Sequence, residues 1–191
     1  MVNLNQSSGF RQYGYSGPAA IGPFRIDGRY GSTPLQDLER QIGTNGPVQG
    51  DRLCFSDASQ SGASLVLFRA SDEHSWVRQV FLASFRSCFG RRIRPACCFR
   101  RWRTERGIGL GDSIAKVRAA YGTPSEVTSG SGRVRATLDG LVPATSRQLG
   151  GMAAGNEMWT YRAKDLSSDL SVAEFGFAHG VVTWIWLSDE E

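Results

Sequence analysis

The stretch GIGLGDSIAKVRAAYGTPSEV, residues 107–127, decides the fold because it contains a short helix with recognisable ends. Ile114, Val117 and Tyr121 recur at intervals of three and four residues, which is the pattern of one apolar helix face. Asp112 is the predicted N-cap, since an Asp carboxylate can accept hydrogen bonds from the unpaired backbone N–H groups of the first turn. Gly122 stands where a left-handed residue is favoured at a C-terminus. The stretch therefore predicts a capped helix over 112–122.

The glycines ahead of this helix raise the alternative of a phosphate-binding loop. Gly107, Gly109 and Gly111 match neither the P-loop, since no Gly-Lys-Ser/Thr follows, nor the spacing of the dinucleotide fingerprint. Both motifs also belong to parallel βαβ units, which nothing else in the sequence indicates. We interpret the glycines as the entry to a structural helix, and we expect no cofactor.

The helix has a counterpart in the first half of the chain. TPLQDLERQIG, residues 33–43, aligns with 112–122 and places Leu35, Leu38 and Ile42 on the same apolar face. Three strand-like runs follow each helix: 52–58, 64–70 and 77–84 in the first half, and 158–164, 172–178 and 181–188 in the second. The pattern predicts an α+β fold of two tandem repeats, each a short helical unit followed by an antiparallel β-meander.

The repeats divide the chain into four parts. Residues 1–20 are a flexible lead-in, 21–84 the first repeat, 85–105 a connector rich in Arg and Cys, and 106–191 the second repeat. The second repeat contains an insertion at 128–156, whose Gly- and Ser-rich composition predicts a loop.

Two stretches of the second repeat resemble a known family. They are TERGIGLGDSIAKVRAAYGTP (104–124) and FGFAHGVVTWIWLS (175–188), with Gly107, Leu110, Gly111, Val117, Tyr121, Gly122, Pro124, Phe175, Phe177, Gly180 and Val182 as the matched residues. They resemble the tandem repeats of the beta-lactamase inhibitor protein family (BLIP-like). More distantly, the unit is similar to small lipoproteins of bacterial outer-membrane assembly.

The resemblance covers 104–188 and, less closely, 22–84. It implies that each repeat is a helical pair plus a four-stranded antiparallel sheet. It also implies that the two sheets join into one curved sheet with helices on one face and a concave side that can grip another protein. Proteins of both groups are exported and non-enzymatic, so the resemblance implies an exported binding or inhibitor-like module.

The last strand-like run, VVTWIWLS, supplies the candidate partner-binding residues. Strict alternation puts Val181, Ile185 and Leu187 on one face and Val182, Trp184 and Trp186 on the other. If the first face packs on the helices, the tryptophans lie on the open side and can anchor a partner. We expect Glu174 to share that side. Two alternatives stay open: the insertion folds over the rings, or the faces are reversed.

The connector supplies the alternative function, binding of nucleic acid or another polyanion through residues 86–106. The candidate phosphate-binding residues are interleaved with aromatic residues, and they are Arg91, Arg92, Arg94, Arg100, Arg101 and Arg103. The simpler interpretation is a solvated linker, in which Arg stems cover apolar surface while the guanidinium groups stay in water.

The cysteines are Cys54, Cys88, Cys97 and Cys98, and their spacing fits no zinc site. They predict one or two disulfides in an oxidising compartment, with reduced buried thiols as the alternative. Residues 1–20 lack the basic start and apolar core of a signal peptide. A secreted or periplasmic location is therefore expected from cysteine usage and the family resemblance alone.

Catalytic residues are not expected in this chain. His74 and His179 fall in separate turns, and no nucleophile–base pattern accompanies them. No apolar run approaches the roughly 20 residues of a membrane helix. The sequence favours a non-catalytic module that binds another protein.

Overall fold

The computed structural model describes residues 19–22, 24–26, 48–49, 52–57, 64–69, 77–85, 92–93, 101–134, 136, 155–164 and 170–190. The strands of this part are β1 (Ala19–Ile21), β2 (Phe24–Ile26), β3 (Val48–Gln49), β4 (Arg52–Asp57), β5 (Ser64–Arg69), β6 (Val77–Ala83), β7 (Arg92–Ile93), β8 (Glu126–Ser129), β9 (Glu157–Lys164), β10 (Leu170–Ala178) and β11 (Val181–Glu190). Helix α1 is Ile114–Tyr121, and residues 131–134 are also helical.

One large sheet organises the fold, in the order β3-β4-β5-β6-β11-β10-β9-β8. Two antiparallel meanders thus meet through their last strands, with Phe81 of β6 opposite Trp186 of β11. β7 pairs in parallel with β4, and β1 and β2 form a separate hairpin. The predicted α+β class with antiparallel strands is confirmed.

Helix α1 begins one residue later than predicted. Its N-cap is Ser113, whose hydroxyl accepts a hydrogen bond from Lys116 N at 3.3 Å. The prediction of Asp112 as N-cap is wrong, because its carboxylate turns towards the preceding loop and accepts from Gly109 N at 2.8 Å. Gly122, with φ 81°, closes the helix as predicted. The helix predicted over 33–43 lies outside the described residues.

The tight hairpin between β10 and β11 holds the helix against the sheet. His179 and Gly180 have φ values of 52° and 75°, as both central residues of a type I′ turn require. Gly180 O accepts from Ile114 N at 3.0 Å, and Asp112 O accepts from Val182 N at 2.8 Å. The start of α1 is therefore tied to the end of the sheet through the backbone.

The main core lies between α1 and the face of the sheet that the helix covers. Tyr121 packs with ring centroids 4.9 Å from Phe175 and 5.3 Å from Tyr161. Burial raises the pKa of both tyrosine hydroxyls above their ordinary value, so the rings stay neutral. The apolar pattern of 112–122 therefore predicted the correct helix face, since Val117 and Tyr121 are buried.

The end of the connector is part of this core. Trp102 is buried against Phe24 at a centroid distance of 5.3 Å, and Gly22 N donates to Arg103 O at 2.9 Å. Thr104 is buried as well and pairs with Ile21. For residues 101–104 the solvated-linker interpretation is wrong, because Trp102 and Thr104 point inwards like alternate residues of a strand.

The predicted loop at 128–156 begins with regular structure. β8 includes residues 128 and 129, and residues 131–134 are helical. Gly130 N donates to Asn156 O at 2.8 Å, which brings the two ends of the segment together. The loop prediction is wrong for residues 128 and 129, which form a strand by pairing with β9. The Gly- and Ser-rich composition of the segment gave no sign of that pairing.

Candidate functional site: the second face and the open edge of the sheet

The tryptophans lie on the face of the sheet turned away from α1, which we term the second face. One row across the strands, in register, is Thr160, Glu174, Trp186 and Phe81. The neighbouring row is Met158, Gly176, Trp184 and Ala83. The sequence prediction that Trp184, Trp186 and Glu174 share a face agrees with this register.

Val182 belongs to the other face, so its predicted place beside the tryptophans is wrong. Phe177 pairs with Val182 but Gly176 pairs with Trp184, which leaves Thr183 as the extra residue of a β-bulge. Val182 therefore packs in the helix-side core with Ile185 and Leu187. Thr183 Oγ1 donates to Gly176 O at 3.2 Å, which stabilises the bulge.

The second face is buried, and the expectation that it is open is wrong. Trp184 is 0 % exposed, Trp186 is 5 % exposed, and Glu174 is also buried. Trp184 packs across the bare Cα of Gly176 and 5.8 Å from the Phe81 ring centroid. Val134, in the segment 128–156, is also buried, and it is not among the residues of the helix-side core. The burial agrees with the alternative that the rings are covered.

Polar side chains lie among the rings of the second face. Thr160 Oγ1 donates to Glu174 Oε1 at 3.0 Å, and both residues are buried. Among the described residues, Trp186 Nε1 and Ser188 Oγ have no hydrogen-bond partner, although both atoms are inaccessible to solvent. An apolar face with buried donors of this kind can position a hydrogen-bonding group.

Among the strands that the structure describes, β8 forms an edge of the large sheet. It pairs with β9 and ends the strand order, and the Val127 side chain is 50 % exposed. Gly130 and Asn156 form a hydrogen-bonded pair, because Gly130 N donates to Asn156 O. Hydrogen-bonded and non-hydrogen-bonded pairs alternate along an antiparallel ladder, so the N–H and C=O groups of Val127 and Ser129 point away from β9. This strand was not predicted from the sequence, although the β-branched residues Val127 and Thr128 favour a strand.

Two arginines flank this edge, one on each face of the sheet. The Arg118 guanidinium lies 4.9 Å from the Trp159 ring centroid on the helix side, where Trp159 is paired with Val127. Arg162 lies on the second face, with its Nη1 3.3 Å from Glu126 Oε2. Both guanidinium groups are exposed, so they can contact a chain that approaches the edge.

The candidate polyanion residues are only partly described. Arg101 and Arg103 are exposed, and Arg103 pairs with Asp112, as does Lys116 at 3.0 Å. Partial burial acts to raise the pKa of Asp112, but hydrogen bonds from Gly109, Lys116 and Arg103 outweigh it and hold the pKa below its ordinary value. Arg92 lies in β7, while Arg91, Arg94 and Arg100 lie outside the described residues.

The predicted cysteine chemistry stays a prediction. Cys54 lies in β4 opposite Val66, while Cys88, Cys97 and Cys98 fall outside the described residues. The described part of the chain contains no cluster of three or more His, Cys, Asp or Glu residues able to hold a metal ion. His74 also lies outside that part, and His179 occupies the hairpin turn.

Within the described ranges, no helix is both long and apolar enough to cross a membrane. No protein-family model, curated protein or solved structure matches this chain.

Proposed function

We propose that this chain is a non-catalytic protein-binding module, and that its partner adds an extended segment to the edge of the sheet at β8. The observation that carries the proposal is that β8 ends the order of the described strands, with an exposed Val127 beside backbone groups that point away from β9. Edge strands with unpaired N–H and C=O groups are templates for a further strand.

The surroundings of β8 define the chemistry of the partner. An apolar partner side chain is required beside Val127, because its exposed methyl groups gain free energy when they leave water. Acidic side chains are favoured nearby, because the exposed Arg118 guanidinium lies over the ring of Trp159, the residue paired with Val127. The preferred partner is therefore an extended, acidic segment of another protein.

The edge is short, and this limits the affinity. Pro124 precedes the strand and lacks an N–H group, and Ser125 N is already used by Thr160 O at 2.8 Å. Pairing is thus confined to Glu126–Ser129, which gives an interface at the small end of the known range unless other contacts add to it.

The second face is part of the proposal in a conditional form. Trp184, Trp186 and Glu174 can contact a partner only if the face is uncovered, and Val182 is directed to the opposite face. The meeting of two antiparallel meanders supports our further proposal that the chain consists of two tandem BLIP-like repeats. Export and disulfide formation belong to the same proposal, supported by cysteine usage and by the resemblance.

Affinity capture from a bacterial extract tests strand addition, with Val127→Pro and Val127→Thr as matched variants. Proline removes the outward N–H at an edge position that tolerates it, whereas threonine keeps the N–H and the branched shape. We expect the wild type and Val127→Thr to retain the same protein and Val127→Pro to lose it. Thermal unfolding of each variant verifies that the fold is intact.

Other results of this capture experiment contradict strand addition and indicate which surface binds instead. Loss with Trp186→Phe but not with Val127→Pro would place the contact on the second face. Equal loss with both Val127 variants would assign binding to the side chain alone. Failure to retain any protein would remove support for a binding module.

Polyanion binding through 86–106 is the second candidate, favoured by the exposed Arg101 and by the six Arg candidates in the sequence. Phosphate contacts weaken steeply as salt concentration rises, whereas burial of apolar area does not. Recovery of nucleic acid alone, released by salt and unaffected by Val127→Pro, would favour this candidate over protein binding.

A further inference from the structure

The buried polar atoms of the second face point to a ligand. Trp186 Nε1 and Ser188 Oγ are inaccessible to solvent and, among the described residues, have no hydrogen-bond partner. A buried polar group that stays unpaired destabilises the fold, so native proteins pair nearly all of them. Two such atoms on one strand make this part of the second face a candidate site for a small hydrogen-bonding ligand.

The side chains that carry the two atoms stand on the same face of the sheet. Trp186 and Ser188 are two residues apart in β11, so their side chains stand on one side of the sheet about 7 Å apart at Cα. Glu174 lies directly opposite Trp186 on β10. A donor, a hydroxyl and a carboxylate are therefore gathered in one small region.

The chemistry of these groups selects the ligand. The indole N–H can only donate, the hydroxyl can donate or accept, and the carboxylate can only accept. A ligand that serves Trp186 and Ser188 must accept a hydrogen bond from the indole and form a further one with the hydroxyl. It must also be small, because Trp186 and Ser188 are both buried. Water meets these conditions, and buried waters typically make about three hydrogen bonds in such polar sites.

We infer that the second face contains a buried hydration site, in which at least one ordered water molecule bonds to Trp186 Nε1 and Ser188 Oγ beside Glu174. The site lies inside the fold and is independent of the binding proposed at β8. It also gives Trp186 a role different from that of Trp184, because the Trp186 indole holds water while the Trp184 ring packs on Gly176.

Magnetisation transfer from water to the indole protons of the ¹⁵N-labelled chain tests this inference. We expect a cross-peak between water and the Trp186 indole proton, with the sign that a long-lived bound water molecule produces. The Trp159 indole is the internal control, because its Nε1 donates to Glu157 Oε1 at 2.5 Å. Disappearance of one indole resonance in Trp186→Phe assigns the signal.

Ser188→Ala separates bound water from exchange through the hydroxyl. The cross-peak should persist in this variant, because Trp186 Nε1 still donates to the water. Loss of the cross-peak in Ser188→Ala would identify the hydroxyl proton as its source and overturn the inference. Absence of a Trp186 cross-peak in the wild type, as for Trp159, would overturn it as well.

Discussion

Gly176→Ala is expected to lower the free energy of unfolding by about 3 kcal/mol, because a side chain at this position has no room. A Cβ atom on Gly176 would lie 2.6 Å from Trp184 Cδ1 and closer still to Nε1 and Cε2. The φ of Gly176 is not in the positive region, so the backbone itself accepts alanine and the cost is steric. Urea denaturation measures the loss as a lower midpoint concentration with an unchanged m-value.

Gly132→Ala is the matched control for this prediction. A Cβ atom there meets nothing within 4 Å, and the residue belongs to the helical segment 131–134. Alanine favours helix over glycine by up to about 1 kcal/mol, so the control should be neutral or stabilising. A Gly176→Ala variant as stable as Gly132→Ala would show that Trp184 does not pack across Gly176.

Trp184→Ala is expected to cost about 3–5 kcal/mol, as truncation of a fully buried aromatic side chain does. An exposed tryptophan on an open binding face would cost less than about 0.5 kcal/mol. The two descriptions of the second face therefore differ by several kcal/mol in one urea denaturation experiment. Val181→Ala, on the same strand but 38 % exposed, is the control and should change stability little.

Combining the two substitutions tests the contact between Gly176 and Trp184 directly. In Gly176→Ala/Trp184→Ala the new methyl group enters the space that the indole has left. The double variant should therefore lose less stability than the two single losses added together, by more than about 1 kcal/mol. Strict additivity would mean that the residues do not touch.

The sequence predicted the antiparallel strands because their apolar runs are long and bounded by turn residues. The prediction for β11 was 181–188, and the strand continues to Glu190 because Asp189 and Glu190 pair with Ser171 and Leu170. Acidic residues have low strand propensity, so this extension depends on pairing that is not local in sequence.

The faces of the strands were harder to predict than the strands. Alternation holds from Trp184 to Ser188 but fails between Val182 and Trp184, because the bulged Thr183 shifts the register. A single extra residue exchanges the faces, and nothing local in VVTWIWLS indicates where it stands.

Local sequence patterns could not predict whether the second face is buried. Apolar side chains on both faces of β11 fit either a sheet covered on both sides or one open aromatic surface. Trp102 and β8 were missed for a related reason. Their structure depends on contacts with Phe24 and β9, far away in sequence, while their own composition indicates a connector and a loop.

Hydrogen exchange of the β8 amides in the isolated chain tests most directly whether the edge is open to a partner strand. The Val127 and Ser129 amides should exchange rapidly, because they point away from β9, while the Thr128 amide should be protected by its bond within the ladder. Protection of Val127 equal to that of Thr128 would show that the edge is already paired, and would contradict strand addition at β8.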